Sequence, residues 1–157
     1  MSLDVDVTVR GVRSPLGREA IAAAARTALR AEGVKHALVS ITLVDRRTMA
    51  GLNRAHLGHR GPTDVISFGF RRATDGDPVV GDIYIAPEVA RENAVEAGVP
   101  VREEVTRLVV HGTLHVLGHD HPDGQGRERS PMWQRQERIV RRLVRSRRIA
   151  PSAGNGA

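Results

Sequence analysis

The segment from His111 to His121 reads HGTLHVLGHDH, and its first two histidines stand four residues apart. On a helix that spacing puts both side chains on one face about a turn apart, so both rings can reach one ion. Gly118 is suited to end such a helix in a left-handed conformation and fold the chain back, which brings His121 to the same point from the other side. Three imidazoles leave the fourth position of a tetrahedral metal open, the arrangement of a catalytic centre rather than a closed structural one. Histidine ligands favour zinc, and one ion per chain is expected, held by His111, His115 and His121. The chain has no cysteine, so thiolate ligands and disulfides are excluded, which is compatible with a reducing cytoplasm.

The same histidine spacing occurs in metzincin peptidases, where a glutamate follows the first histidine and activates water. Here that position is Gly112, and a peptidase mechanism loses its base. Three carboxylates are candidates for catalysis. Asp64 and Asp82 are expected to open two adjacent strands, and Asp120 lies between the histidines; any of them would orient an imidazole or move a proton. The plainer reading of Asp64 and Asp82 is that they cap turns. His119 is either a fourth ring available to metal or phosphate, or a solvated side chain.

Charge points to a polyanionic partner. The net charge is +6, yet residues 127–148 hold nine arginines against two glutamates, which leaves the first 126 residues with 15 basic and 16 acidic side chains. The basic excess therefore lies in the last helix. There Arg138, Arg141, Arg142 and Arg145 share one side while Met132, Gln136, Val140 and Leu143 share another, so the arginines are candidates for sequence-blind contacts to the phosphates of a polyanion or simply a solvated face. With Trp133, Tyr84, Phe68 and Phe70 as the only aromatic residues, no broad base-stacking platform is available.

These residues need a scaffold, and the chain supplies a patterned one. Leu3, Val5, Val7 and Val9 alternate with polar residues as in a half-buried strand. Pro15 to Glu32 is an alanine-rich helix with Gly33 just beyond it. His36 to Asp45 is apolar on both faces, as in an interior strand, and a short helix over Arg46 to Ala55 follows, with Gly58, Gly61 and Pro62 breaking the chain. Asp64 to Phe70 and Gly81 to Ala86 read as strands forming a hairpin or lying side by side. Helices are expected over Pro87 to Ala97, Val101 to Leu117 and Pro131 to about Arg145, with a loop from Pro122 to Gly126. The expectation is an α/β (α+β) fold: a small mixed sheet of about four strands flanked by helices, with the zinc site at the end of a core helix. A single domain over residues 1–148 would precede a flexible tail over 149–157. The amino terminus lacks the pattern of a secretory signal, and no run approaches the roughly 18 apolar residues of a membrane span, so a cytoplasmic, non-membrane protein is expected.

The sequence resembles the YbeY family of bacterial rRNA maturation factors, also described as single-strand-specific metallo-endoribonucleases. The family's histidine motif, His-Gly-x-Leu-His-x-x-Gly-x-Asp-His, is matched by His111, Gly112, Leu114, His115, Gly118, Asp120 and His121. Its Thr-Asp-Val-(Leu/Ile)-Ser-Phe stretch corresponds to Thr63 to Phe68, and its Gly-Asp-Ile to Gly81 to Ile83. Motif order and spacing agree over nearly the whole chain. Three positions depart from the pattern: Leu57 stands where many members have an arginine linked to RNA cleavage, with Arg54 and Arg60 nearby; His119 replaces a frequent tyrosine; and Gly69 replaces a common proline.

The resemblance implies a zinc-dependent endoribonuclease that cuts single-stranded RNA, matures the 3′ end of 16S rRNA and takes part in 70S ribosome quality control, with ribosomal components as partners. An assembly factor with a structural zinc, or a zinc peptidase, are the alternatives that the residues leave open.

Overall fold

A computed structural model describes residues 1–58, 63–121 and 126–149. Strand β1 (Ser2–Val9) leads through helix α1 (Arg18–Ala31) to β2 (His36–Leu43), and α2 (Arg46–Leu57) leads to β3 (Val65–Phe70) and β4 (Val79–Ile85). Helices α3 (Pro87–Ala97) and α4 (Val101–Val116) follow, then a 3-10 turn (Arg127–Arg129) and α5 (Pro131–Ile149). The four strands form one sheet in the order β1-β2-β4-β3, with β3 antiparallel to β4 and the other pairs parallel. The mixed sheet flanked by helices is the architecture expected from the sequence.

The two faces of the sheet are covered differently. Val39, Ile41, Ile83 and Ile85 turn to one face and bury against Ile21, Leu29, Val105 and Val109 of α1 and α4. On the other face α2 brings Met49 and Leu52 against Ile66, Phe68 and Tyr84. Helix α5 closes over α4 from outside, where Met132, Ile139 and Val140 pack with Val110, Leu114 and Ala28. Helix α4 is thus clasped between sheet and helix and carries eleven buried residues of its sixteen. Its close approach to the sheet depends on missing side chains. A Cβ at Gly112 would lie 2.9 Å from Ile83 Cγ2, and one at Gly81 would lie 2.5 Å from Val116 Cγ1.

Several boundaries differ from the sequence expectation. Helix α1 begins at Arg18 rather than Pro15, because Gly17 takes an extended conformation and accepts the Ile21 N–H through its carbonyl. Strand β4 starts at Val79, two residues early, since pairing with Ala37 and Leu38 of β2 extends it. Asp82 therefore sits within β4 instead of opening it. Helix α5 continues past Arg145 to Ile149, the first residue of the expected tail, and the rest of that tail, residues 150–157, lies outside the described residues. Among the described residues, no helix is long and apolar enough to cross a membrane.

Candidate metal centre

His111 and His115 lie one turn apart on α4, as the spacing requires, and the end of that helix delivers the third ring. The Gly118 N–H bonds the His115 carbonyl at 2.9 Å and the His119 N–H bonds the Leu114 carbonyl at 3.0 Å, with Gly118 at φ +96°. This paired closure with a left-handed glycine is a Schellman ending, and it reverses the chain. His121 returns over the helix: ring centroids are 4.5 Å apart for His111 and His115, and 5.0 Å for each of those with His121. One ring nitrogen from each histidine falls within 4.8 Å of the others, so a single ion can be shared.

The surroundings prepare these rings as ligands. His111 is 5% exposed. Burial, reinforced by the neighbouring His115, Arg127 and His121 charges, lowers its pKa to about 4 against the pull of Gln136, so the ring is neutral near pH 7 and offers a lone pair. Its Nδ1 lies 2.6 Å from Gln136 Oε1, and Gln136 Nε2 donates in turn to Glu137 Oε2 at 3.0 Å. That chain turns the amide carbonyl toward His111, places the ring proton on Nδ1 and leaves Nε2 for a metal. His115 is also lowered, first by burial and then by His121, while Asp120 opposes the shift. The donor set therefore fits a borderline metal such as zinc.

Beyond Gln136 lies an ionic lock between α4 and α5. Arg107 donates to Glu137 from Nε at 2.9 Å and from Nη2 at 3.0 Å, and its guanidinium also reaches Glu103 and Glu104. The fork geometry fixes the register of the two helices and so the position of Gln136 over His111. Asp64 lies just before β3 and faces the same cleft as His111. Its carboxyl is pushed up by burial, which outweighs the Arg127 charge and the Val65 N–H, and its Oδ2 accepts from Asn93 at 3.1 Å.

A family model described as Endoribonuclease YbeY matches residues 11–144. The chain belongs to the YbeY family. A relative from Salinispora tropica, named Endoribonuclease YbeY, is 40% identical over 82% of this chain and 90% of its own length. Another of that name, from Bacillus licheniformis, is 37% identical over 94% and 99%. In fold, the chain is similar to a Thermotoga maritima protein solved in solution, with a TM-score of 0.62, 24% identity and 96% coverage of both chains.

Within this YbeY chain the remaining expected site residues separate. Asp120 stays at the centre, where its Oδ1 accepts the His121 N–H at 3.1 Å. Asp82 does not join it. Strand alternation turns Asp82 opposite to Ile83, which meets α4, and Asp82 accepts from Ser40 Oγ at 2.6 Å on the other face of the sheet. His119 turns away from the three rings to pair with Glu32, which also accepts from Arg135 at 2.8 Å. Burial would raise the Glu32 carboxyl, but these hydrogen bonds from Arg135 and His119 outweigh it and hold it low.

Leu57, where the resemblance would place an arginine, is 46% exposed at the end of α2. Arg54 is exposed on the same helix, which packs on the sheet face away from α4; Arg60 lies outside the described residues. Arg138, Arg141, Arg142 and Arg145 are all exposed on α5. At about 100° per residue they point well away from Gln136, so the stripe is on the outer side of the helix rather than over the histidines.

Sequence reasoning missed Gln136, Arg107, Glu104 and Arg127. Gln136 alone had a signal, a polar residue at a buried position of an otherwise apolar stripe. The others are joined to the centre by contacts between distant segments.

Proposed function

We propose that this protein is a zinc-dependent endoribonuclease of single-stranded RNA, acting in the cytoplasm on the 3′ end of 16S rRNA and in 70S ribosome quality control, with ribosomal components as partners. The observation that carries the reading is the convergence of His111, His115 and His121 with His111 neutral and oriented by Gln136. The name Endoribonuclease carried by the relatives supports RNA as the substrate class.

Zinc held there would supply Lewis acidity toward a phosphoryl oxygen and an acidified water. The chain's own residues do the rest. Asp64, in the cleft beside His111 and with its proton affinity increased by burial, accepts and returns a proton during the displacement. Asp120 holds the His121 backbone and places negative charge near His115. Arg138, Arg141, Arg142 and Arg145 hold the flanking RNA backbone through its phosphates. Gly112, where a peptidase would need its carboxylate, has no room for a side chain against Ile83, which disfavours peptide hydrolysis.

The test is metal content measured together with cleavage of a single-stranded RNA, for wild type, His115→Ala and chelator-treated protein. The expected result is about one zinc per chain and cleavage that disappears with it while the protein stays folded. Zinc-loaded protein that leaves RNA intact would overturn the enzyme reading in favour of an assembly factor stabilised by its metal.

A further inference from the structure

A cleft of about 1090 Å³ adjoins the histidine centre, with Asp64, Glu104, Arg107, His111, Arg127 and Trp133 among its walls. Most of its polar groups are committed. Arg107 is matched by Glu137, Glu103 and Glu104, and Asp64 takes a hydrogen bond from Asn93.

Arg127 is different. Its guanidinium carbon lies over the Trp133 ring at 5.8 Å from the centroid, within the range of a cation–π contact. Its Nε is the one buried side-chain nitrogen or oxygen among the described residues with no hydrogen-bond partner. Leaving such a donor unmatched is destabilising, so its retention asks for an explanation. Arg127 lines the same cleft as His111 and Asp64. A cation thus lies beside the histidine centre and is not neutralised by an ion pair within 4.0 Å among the described residues. Planar guanidinium donors match phosphate oxygens, and a ring behind the fork lowers the entropy lost when they bind.

We propose that Arg127, braced by Trp133, is the anchor for one phosphate of the RNA strand next to the histidine centre. The proposal rests on the ribonuclease reading and adds a contact inside the cleft to the diffuse contacts of α5. Glu96, Glu128 and the exposed Arg129 also line the cleft, and Arg127 is set apart from them as the half-buried cation whose Nε has no partner.

The experiment uses full-length, metal-loaded protein and a 2′-O-methyl single-stranded oligonucleotide, with affinity measured over a range of salt. Arg127→Gln is compared with Arg18→Gln, an exposed arginine on α1 that gives the same change in net charge. The expected result is about tenfold weaker binding for Arg127→Gln and a salt slope smaller by about 0.7, the value for one phosphate contact on a single strand. Arg127→Lys should recover the slope and only part of the affinity, which a merely structural arginine would not do. On cleavable RNA the loss should fall mainly on KM. If Arg127→Gln binds with the same affinity and slope as Arg18→Gln, the anchor is overturned even where cleavage is robust. If wild type cuts no RNA yet Arg127→Gln still loses the contact, the anchor stands and the ribonuclease reading falls.

Discussion

His111 Nδ1 and Gln136 Oε1 meet at 2.6 Å across the contact between α4 and α5, although 25 residues separate them in the chain. With Glu137 fixing the amide from behind, this bond decides which nitrogen of His111 faces the metal position.

Replacing Gln136 by Leu keeps the volume but leaves the Nδ1–H without its acceptor. Metal affinity, measured by competition with a chromogenic chelator, is expected to fall about 10–100-fold with helical content retained. Equal affinities in the two proteins would show that Gln136 does not orient the ligand.

Gly112 sets how closely α4 lies on β4. Gly112→Ala places a Cβ 2.9 Å from the buried Ile83 Cγ2, and overpacking of this kind costs about 1–3 kcal/mol. Gly112→Glu, which restores the peptidase pattern, should be less stable still and should not degrade casein. Urea denaturation gives the stability; casein breakdown by folded, metal-loaded Gly112→Glu would contradict the steric argument.

The histidines make the metal-free protein acid-sensitive. An unfolded histidine takes up its proton near pH 6.5, whereas folded His111 does so only near pH 4. Between those values the unfolded chain binds the extra proton, so stability is lost as pH falls through this window and regained as pH rises. The full effect is on the order of 3 kcal/mol, and His115 adds to it in the same direction. Chelated wild type and His111→Gln should be compared by urea denaturation at pH 7 and pH 5. A shallower pH dependence is expected for His111→Gln, and identical slopes would count against a neutral, buried His111.

On the proposed reading the arginines of α5 act at a distance from the histidines. Reversing Arg138, Arg141, Arg142 and Arg145 to glutamate should weaken RNA binding by a similar factor for every sequence and flatten its salt dependence, without altering metal content. Electrophoretic titrations at several salt concentrations provide the check, and unchanged affinity would end the RNA-binding role of this stripe.

Much of the scaffold was legible in the sequence because it rests on local patterns. Alternation in β1, the apolar run of β2 and the proline and glycine marks around α3 each depend on neighbours within a few residues. The same holds for the ligands on α4, where four-residue spacing is a property of the helix itself, and for the reversal at Gly118. Boundaries moved where a partner strand extended an element, as with β4 at Val79, or where a single residue left the helix early, as with Gly17.

The sequence by itself determined the three histidines, the missing base at Gly112, the strand and helix types and the concentration of positive charge in the last helix. Only the tertiary structure decided that Asp64 shares the cleft with His111 while Asp82 faces the opposite side of the sheet, that His119 pairs with Glu32, that Gln136 bonds His111, and that Arg127 lines the same cleft. The physical reason is one of range. A histidine spacing is enforced within a single helix, whereas the partner of a buried polar group is chosen by how separate elements pack, and that packing is settled by the whole core at once.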